Sequence, residues 1–279
     1  MQKVSVVIPT RNRPEMLGAA IDSVLAQTFT GYEIVVVING PDNAATPKTF
    51  EAAAAIGCRI VRIERAGIAI ALNAGIEAAQ GEWIAFLDDD DLWEPDRLEA
   101  ELKLADATAA DVVFCNIVKF DETRSALEPP LRPPSGVSIA EAMTLKNYGG
   151  GCSPAMAKRA AILDVGGFDE RLNSPDWDLW MRLAWRYRVA WDDAYLVKVR
   201  EHPENSSNRM SWARSTLAVQ WKAFRTLPAG LRRLRPRILL AMLKVANKAV
   251  EKYIRQNWFW PLRERLGYQK AARKIPPGR

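Results

Sequence analysis

The stretch 83–93 reads Trp-Ile-Ala-Phe-Leu-Asp-Asp-Asp-Asp-Leu-Trp, and its character changes abruptly at residue 88. Residues 83–87 are wholly apolar, which is typical of a short strand buried on both faces of a parallel sheet. The four aspartates that follow, Asp88–Asp91, repel one another, and no stability argument favours them at the end of a strand. A hard divalent cation would offset that repulsion, because Mg²⁺ and Mn²⁺ prefer carboxylate and phosphate oxygens. The stretch therefore predicts a buried strand that ends at a cation site.

A second interpretation of the same run is a solvated acidic loop. Its last member, Asp91, would then cap the helix that begins near Pro95. The two interpretations are compatible, because Asp91 can cap the helix while the other carboxylates bind metal.

Apolar strands and amphipathic helices alternate on both sides of this stretch over residues 1–115. The predicted strands are 4–8, 33–38, 59–63, 83–87 and 111–115, and the predicted helices begin at residues 14, 46, 68 and 94. Alternation at this spacing predicts an α/β fold with a mostly parallel sheet and helices on both faces.

The alternation becomes irregular after residue 116. A proline-rich loop at 123–138 and three glycines at 149–151 precede a short strand, 154–157, and a helix, 159–165. A helix at 176–187 and two late strands, 189–191 and 195–199, follow. We divide the chain into a first half of an α/β domain (1–115), a second half of the same domain (116–210) and a basic helical extension (211–279).

The charge of the chain is unevenly placed. Residues 231–279 contain fourteen Lys or Arg against two Glu, whereas the remainder contains 25 basic and 31 acidic residues. The three cysteines are far apart and form no CxxC pair, which argues against a disulfide framework or a zinc site and suits a reducing compartment. No signal peptide or spanning segment is visible, so we expect a cytoplasmic protein, and a peripheral position on the inner face of a membrane is the open alternative.

Three polar loops follow the predicted strands: 9–13, 39–42 and 88–91. In open α/β sheets, ligands bind at the carboxyl ends of the strands. These loops are therefore the predicted ligand site.

At this point the chain resembles the inverting family 2 glycosyltransferases, which have the GT-A fold, over about residues 3–210. The residues that carry the resemblance are Val4–Arg13, Leu72–Gly75, Phe86–Trp93, Gly166–Asp169 and Asp176–Trp180. The resemblance implies transfer of a sugar from a nucleotide diphosphate donor to an acceptor hydroxyl, with Mg²⁺ or Mn²⁺ as cofactor. The acceptor would belong to a surface polysaccharide, a glycolipid or a lipid-linked glycan.

The resemblance implies that 1–115 is the nucleotide-sugar-binding half and 116–210 the acceptor-binding half, and it also implies roles for individual residues. The nucleotide-sugar would be bound by Pro9, Thr10, Arg11, Arg13, Asn39, Asp88 and Asp89. The metal would be bound by Asp90, and His202 would approach the metal or the diphosphate. His202 is the only histidine, and a structural or merely exposed role is equally open. Asp176 would be the catalytic base, with a first-turn helix acid as the simpler alternative.

The chain departs from the family pattern at three positions. Two acidic residues usually precede the glycine that is Gly40 here, and this chain has Ile38 and Asn39. Asn39 can meet a uracil N3–H only through its carbonyl oxygen, which argues against a tight preference for uridine or thymidine. A UDP-sugar is the favoured donor, and dTDP- and GDP-sugars remain candidates. Leu72 stands where a basic residue is frequent. Pro175 stands where Glu is usual, which leaves Asp176 as the candidate base, because Asp178 faces elsewhere on the helix.

The basic extension favours contact with an anionic membrane through 231–279. Apolar residues at 239, 242, 243, 246, 250 and 253 recur at helical spacing, basic residues at 244, 248, 252 and 255 face away, and Trp258-Phe259-Trp260 follows. A helix packed on the domain or on a second subunit explains the same pattern. Nucleic acid is a poorer partner, because no binding motif accompanies the charge.

Two other functions remain open. One is a catalytically weak GT-A protein that binds nucleotide-sugars or glycans. The other is a sugar nucleotidyltransferase, which would need a glycine-rich phosphate loop that residues 9–18 lack.

Overall fold

A mixed β-sheet forms the centre of the protein. The computed structural model describes residues 3–41, 46–54, 56–121, 123–201 and 209–254. Nine strands lie within these ranges: β1 (Val4–Thr10), β2 (Tyr32–Asn39), β3 (Arg59–Ile63), β4 (Trp83–Phe86), β5 (Leu92–Trp93), β6 (Val112–Phe120), β7 (Ser125–Leu127), β8 (Ala155–Lys158) and β9 (Val189–Arg200). Their order in the sheet is β3-β2-β1-β4-β8-β6-β9-β5, and β7 pairs with β6.

The pairing of the strands brings the predicted ligand loops to one edge of the sheet. Strands β3, β2, β1 and β4 are parallel to one another, whereas β8 runs antiparallel to both β4 and β6. Thr10 pairs with Ile38, and Val7 pairs with Phe86, so β1, β2 and β4 end side by side. The loops that follow these strands are therefore neighbours.

Helices cover both faces of the sheet. The helices are α1 (Pro14–Leu25), α2 (Thr46–Ala54), α3 (Ile68–Ala78), α4 (Arg97–Thr108), α5 (Ile139–Leu145), α6 (Arg159–Asp164), α7 (Pro175–Ala184), α8 (Arg209–Thr226) and α9 (Arg235–Ile254), with a 3₁₀ turn at Ala229–Leu234. One core contains Leu17 of α1 and Leu98 of α4, and a second contains Ile76 of α3 and Trp180 of α7. The predicted α/β architecture is confirmed.

Several boundaries differ from the prediction. The helix expected from residue 94 begins at Arg97, because Leu92–Trp93 pairs with β9 as a short strand. The two late strands are one strand, β9, in which residues 192–194 bulge out between the paired residues Trp191 and Tyr195. Strand β7 and helix α5 were not predicted, since both lie in or near the proline-rich loop.

The C-terminal helices pack on α7. Trp177 and Met181 of α7 share a third core with Val219 of α8, Leu234 of the 3₁₀ turn and Ile238 of α9. Among the described residues, no helix combines the length and apolarity needed to cross a membrane.

Candidate active site

The aspartate run begins where β4 ends, and its last member, Asp91, is held by hydrogen bonds from residues of the second half of the domain, 116–210. Ser153 donates a hydrogen bond from Oγ to Asp91 Oδ2 at 2.6 Å and accepts one from the Asp88 N–H at 3.0 Å. The Arg200 N–H donates to Asp91 Oδ1 at 3.0 Å. Burial raises the pKa of Asp91 to about 7, although these donors act in the opposite direction. Asp91 is thus a structural link, and the prediction that it caps a helix is wrong, because Asp96 occupies the N-cap of α4.

Asp89 and Asp90 join the aspartate run to the loop after β1. Thr10 donates from Oγ1 to Asp89 Oδ2 at 2.7 Å. Arg13 Nη1 lies 3.2 Å from Asp89 Oδ1 and 2.8 Å from Asp90 Oδ2. Burial raises the pKa of Asp89, while Thr10 and Arg13 oppose that rise. Two of the three predicted ligand loops are therefore held together by their own polar side chains.

Asp88 differs from its neighbours because its carboxylate is left without a donor. It is half-buried, and no described residue forms a recorded hydrogen bond or ion pair with its side chain. Burial raises the pKa of Asp88 well above its ordinary value, and repulsion from the other aspartates of the run raises it further. Asp176 also contributes to this repulsion, although it lies almost ninety residues away in sequence. Residues of 1–115 and of 116–210 therefore meet at Asp88.

Asp176 lies in the first turn of α7, near enough to Asp88 for its charge to act on the Asp88 carboxylate. Its Oδ2 accepts a hydrogen bond from Asn147 Nδ2 at 2.9 Å. Burial raises the pKa of Asp176, and the bonds from Asn147 and from the Trp177 N–H oppose the rise. Cys152 lies near both acids. Burial raises the pKa of its thiol well above the ordinary value, and the charges of Asp88 and Asp176 add to the rise.

Asp178, two residues further along α7, has a different environment. It is fully buried and forms ion pairs with Arg182 at 2.7 Å and with Lys222 at 2.8 Å. The prediction that Asp178 faces away from Asp176 is confirmed.

The third predicted loop meets the loop that follows β3. Asn39 is the last residue of β2, and its Oδ1 accepts a hydrogen bond from the Gly67 N–H at 2.9 Å. Gly40 has a φ of +97°, and a Cβ there would lie 3.4 Å from Arg11 Nε. Leu72, where a basic residue is frequent in the family, is fully buried in the core and cannot reach a diphosphate.

The donor set fits a hard divalent cation that depends on its substrate for further ligands. Within the described ranges, no group of three or more Asp, Glu, His or Cys side chains is arranged to hold a metal ion. Mg²⁺, however, is usually bound by one or two carboxylates together with substrate phosphates, and Asp88 and Asp90 supply such carboxylates. His202 lies outside the described residues.

Sequence reasoning missed Asn147, the residue that donates to Asp176. It lies in the irregular region before the glycines 149–151, and a single polar residue in a loop gives no periodic signal. Ser153 holds the backbone of the aspartate run in place through its bonds to the Asp88 N–H and to Asp91 Oδ2.

The family model for glycosyl transferase family 2 matches residues 5–166. An uncharacterised glycosyltransferase of Rickettsia felis is 28% identical over 228 residues, which cover 79% of this chain and 38% of that protein. The chain thus spans about two fifths of the length of this relative.

Two solved structures share the fold. Staphylococcus aureus TarS 1–349 in complex with UDP-GlcNAc superposes with a TM-score of 0.67 at 16% identity, covering 92% of this chain and 75% of that one. The mannosyltransferase PcManGT from Pyrobaculum calidifontis, in complex with GDP-Man and Mn²⁺, gives a TM-score of 0.64 at 20% identity, covering 95% and 78%. These likenesses confirm the predicted GT-A fold.

Proposed function

The chain belongs to glycosyl transferase family 2, and from this we propose that it transfers a sugar from a nucleotide diphosphate donor to an acceptor hydroxyl with inversion at the anomeric carbon. The observation that carries the proposal is the proximity of Asp88 and Asp176. The charge of Asp176 acts on the Asp88 carboxylate, both residues are half-buried, and no described cation pairs with either. A bound cation and a proton-donating acceptor are the groups that would offset those charges.

Asp176 is the proposed catalytic base. An inverting transfer is a direct displacement, in which the acceptor oxygen attacks the anomeric carbon, loses its proton and expels the nucleotide diphosphate. A carboxylate next to the acceptor takes that proton, and burial makes it a better base by raising its pKa. Pro175 supports the assignment, because it starts α7 at the favourable N1 position. Asp176 is then the acid of this helical turn whose charge acts on Asp88.

Asp88 and Asp90 are the proposed residues at a Mg²⁺ or Mn²⁺ ion, with Asp90 as ligand and Asp88 toward the ribose or a water of the metal. When bound, such an ion would stabilise the charge that develops on the leaving diphosphate. His202 is retained as a further candidate ligand. Pro9, Thr10, Arg11, Arg13, Asn39 and Asp89 complete the proposed nucleotide-sugar site.

The donor and acceptor are proposed by chemical class. The structures with the same fold contain UDP-GlcNAc or GDP-Man with Mn²⁺, which supports a nucleotide-sugar donor, with a UDP-sugar favoured. The acceptor is a hydroxyl of a glycan or glycolipid in the synthesis of a surface polysaccharide or a lipid-linked glycan.

Thermal stability with nucleotide diphosphates tests the proposed site. We expect the melting temperature to rise only when both nucleotide and Mn²⁺ are present, and the rise to disappear in Asp90→Asn. This substitution keeps a hydrogen-bond acceptor for Arg13, whose Nη1 lies 2.8 Å from Asp90, but removes the charge. Asp106→Ala is the matched control, since that side chain is 73% exposed on α4.

Three outcomes are informative. An equal rise in Asp90→Asn would refute the metal assignment. Binding of nucleotide-sugars without release of nucleotide diphosphate, for every common donor and with glycan acceptors present, would favour a catalytically weak binding protein. Release of nucleotide diphosphate that depends on an acceptor supports transfer.

The C-terminal helices supply a second proposal, contact with an anionic membrane. On α9, Leu239, Leu240 and Leu243 are 43%, 52% and 60% exposed, and the exposed cations Arg237 and Lys244 lie beside them. Apolar side chains next to basic ones match a surface of hydrocarbon bordered by anionic headgroups. Of the other apolar residues of the predicted stripe, Met242 is partly buried against the third core, Ala246 is half-buried, and Val250 and Tyr253 lie outside the described side chains.

Co-sedimentation with vesicles tests this surface. We expect the protein to bind vesicles of phosphatidylglycerol and phosphatidylcholine, and the double variant Leu240→Glu/Leu243→Glu to stay in the supernatant. Leu127→Glu is the control, because Leu127 is 67% exposed on β7, away from α9. Equal binding by the double variant would overturn the proposal. Deletion of 231–279 is a poor test, since it would uncover the core that contains Leu234 and Ile238.

A further inference from the structure

The amide of Asn39 has a fixed orientation at the end of β2. Its Oδ1 lies 2.9 Å from the Gly67 backbone nitrogen. Because a backbone N–H can only donate, the atom of the amide that faces it must be the oxygen. The carbonyl oxygen of Asn39 is thus engaged by the protein itself.

The loop after β3 keeps the amide from turning over. The Gly40 N–H donates to the Ile63 carbonyl oxygen at 2.9 Å, which ties this loop to the end of β2 at a second point. A Cβ on Gly40 would lie 3.3 Å from the Ala66 Cβ, so the two loops are in close contact. Rotating the amide by half a turn would place its NH₂ group against the Gly67 N–H, and two facing donors cannot bond.

The group that Asn39 leaves available is its Nδ2, which has two N–H donors and no recorded partner among the described residues. Arg11 lies next to Gly40, the residue that follows Asn39, since its Nε would be 3.4 Å from a Cβ on Gly40. A guanidinium also donates only. The ends of β1 and β2 therefore present donors toward a ligand.

We propose that Asn39 reads the base of the donor nucleotide through an acceptor atom and not through its N3–H. The inference rests on the sugar-transfer function proposed above. Uracil and cytosine differ at this point, because N3 is a donor in uracil and an acceptor in cytosine. UDP then binds through its carbonyl oxygens and gains no contact at N3–H, so the chain distinguishes uracil weakly from cytosine.

Asn39→Asp tests the proposal through the ratio of UDP to CDP affinity. The carboxylate keeps one oxygen for the Gly67 N–H and offers the second to a uracil N3–H. We expect this ratio, measured by calorimetry with MnCl₂ present, to rise by about tenfold. The added negative charge opposes both diphosphates equally, so it cancels in the ratio. Asn247→Asp on the exposed face of α9 is the control for net charge and should leave the ratio unchanged.

The outcomes separate this inference from the proposed function. A ratio in Asn39→Asp that stays within about threefold of the wild-type ratio overturns it, as does a wild-type preference for UDP of about a hundredfold or more. If neither nucleotide binds the wild-type protein in the presence of MnCl₂, the proposed function fails, and this inference with it. A rise of about tenfold, with both nucleotides bound by the wild type, supports both.

Discussion

Two acidic clusters touch helix α7, and in only one of them is every carboxylate paired with a described cation; in the other, Arg13 pairs with Asp89 and Asp90 alone. Asp169 and Asp178 are paired with Arg171, Arg182 and Lys222. These partners hold the pKa of Asp169 well below its ordinary value, with the Arg171 hydrogen bond as the largest cause. The other cluster joins the aspartate run 88–91 to Asp176, and there burial raises the pKa values of Asp88 and Asp176, while repulsion from the other aspartates adds to the rise at Asp88.

The first cluster contains acids whose ion pairs stabilise the fold, whereas the second contains the acids that the proposed function assigns to ligand binding and catalysis. A cleft of about 390 Å³ lies beside the first cluster, lined in part by Arg182 and Lys222, but these cations are already paired. In the second cluster, Asp88 and Asp176 have no cation partner among the described residues. Asp176 and Asp178 are two residues apart in α7 and thus about 200° apart around the helix. A single turn of α7 therefore contributes one acid to each cluster.

The comparison is tested most strongly by Asp176→Asn. We expect sugar transfer to fall by about 10²–10⁴-fold, because the amide cannot accept the proton of the acceptor hydroxyl. The free energy of unfolding should change little, since no ion pair is lost. Nucleotide release in the presence of acceptor, measured beside thermal melting, reports both quantities. Activity above about a tenth of wild type would rule out Asp176 as the base.

The matched change in the other cluster, Asp178→Asn, should affect stability instead. It leaves Arg182 and Lys222, whose side chains are 15% and 24% exposed, without a carboxylate at the centre of their network. Removing one partner of a buried pair costs about 3–5 kcal/mol, and we expect a loss toward the lower end because Asp169 still pairs with Lys222. Urea denaturation measures it. A loss below about 1 kcal/mol would mean that the pairing is not what holds α8 to α7.

A smaller effect on stability is expected from Ser153→Ala. The substitution removes the donor to Asp91 Oδ2 and the acceptor for the Asp88 N–H. Leaving such buried groups without partners costs about 1–3 kcal/mol, which urea denaturation would detect. Ser125→Ala is the control, because that residue is exposed on β7. Equal stability of the two variants would show that Ser153 is not the link between the two halves.

The residues that the sequence made predictable are those marked by local pattern. The strand 83–87 is a continuous apolar run, and 4–8 is apolar except for Ser5, so their burial and the position of the aspartates after β4 followed directly. The pairing of Ser153 with Asp91, and of Asn147 with Asp176, joins residues 62 and 29 positions apart. Such contacts depend on the crossing of β8 between β4 and β6, which no local periodicity encodes.

The lack of a local signal for tertiary contacts also explains the result for the two acids of α7. Their placement on different sides of the helix was predicted, but their partners were not. Helical spacing placed Asp176 and Asp178 on different sides. Lys222, which pairs with Asp178, belongs to α8 and arrives through the third core. The orientation of the Asn39 amide likewise depends on Gly67, which lies beyond the next strand. Sequence indicates which residues carry chemistry, whereas tertiary contacts determine which of their atoms remain available.

The smallest expected effect concerns the pH dependence of transfer. A carboxylate whose pKa is raised in the folded protein is protonated at pH values where an ordinary aspartate is ionised, so a base at Asp176 loses activity as the pH falls through that raised pKa. The bond from Asn147 opposes the rise, and Asn147→Ala should therefore move the acidic limb of kcat/KM to higher pH. Activity at the lower end of the profile should drop severalfold, about the contribution of one hydrogen bond, and recover at higher pH. Asn247→Ala should leave the profile in place. An equal loss at every pH would instead show that Asn147 positions the loop and not the charge of Asp176.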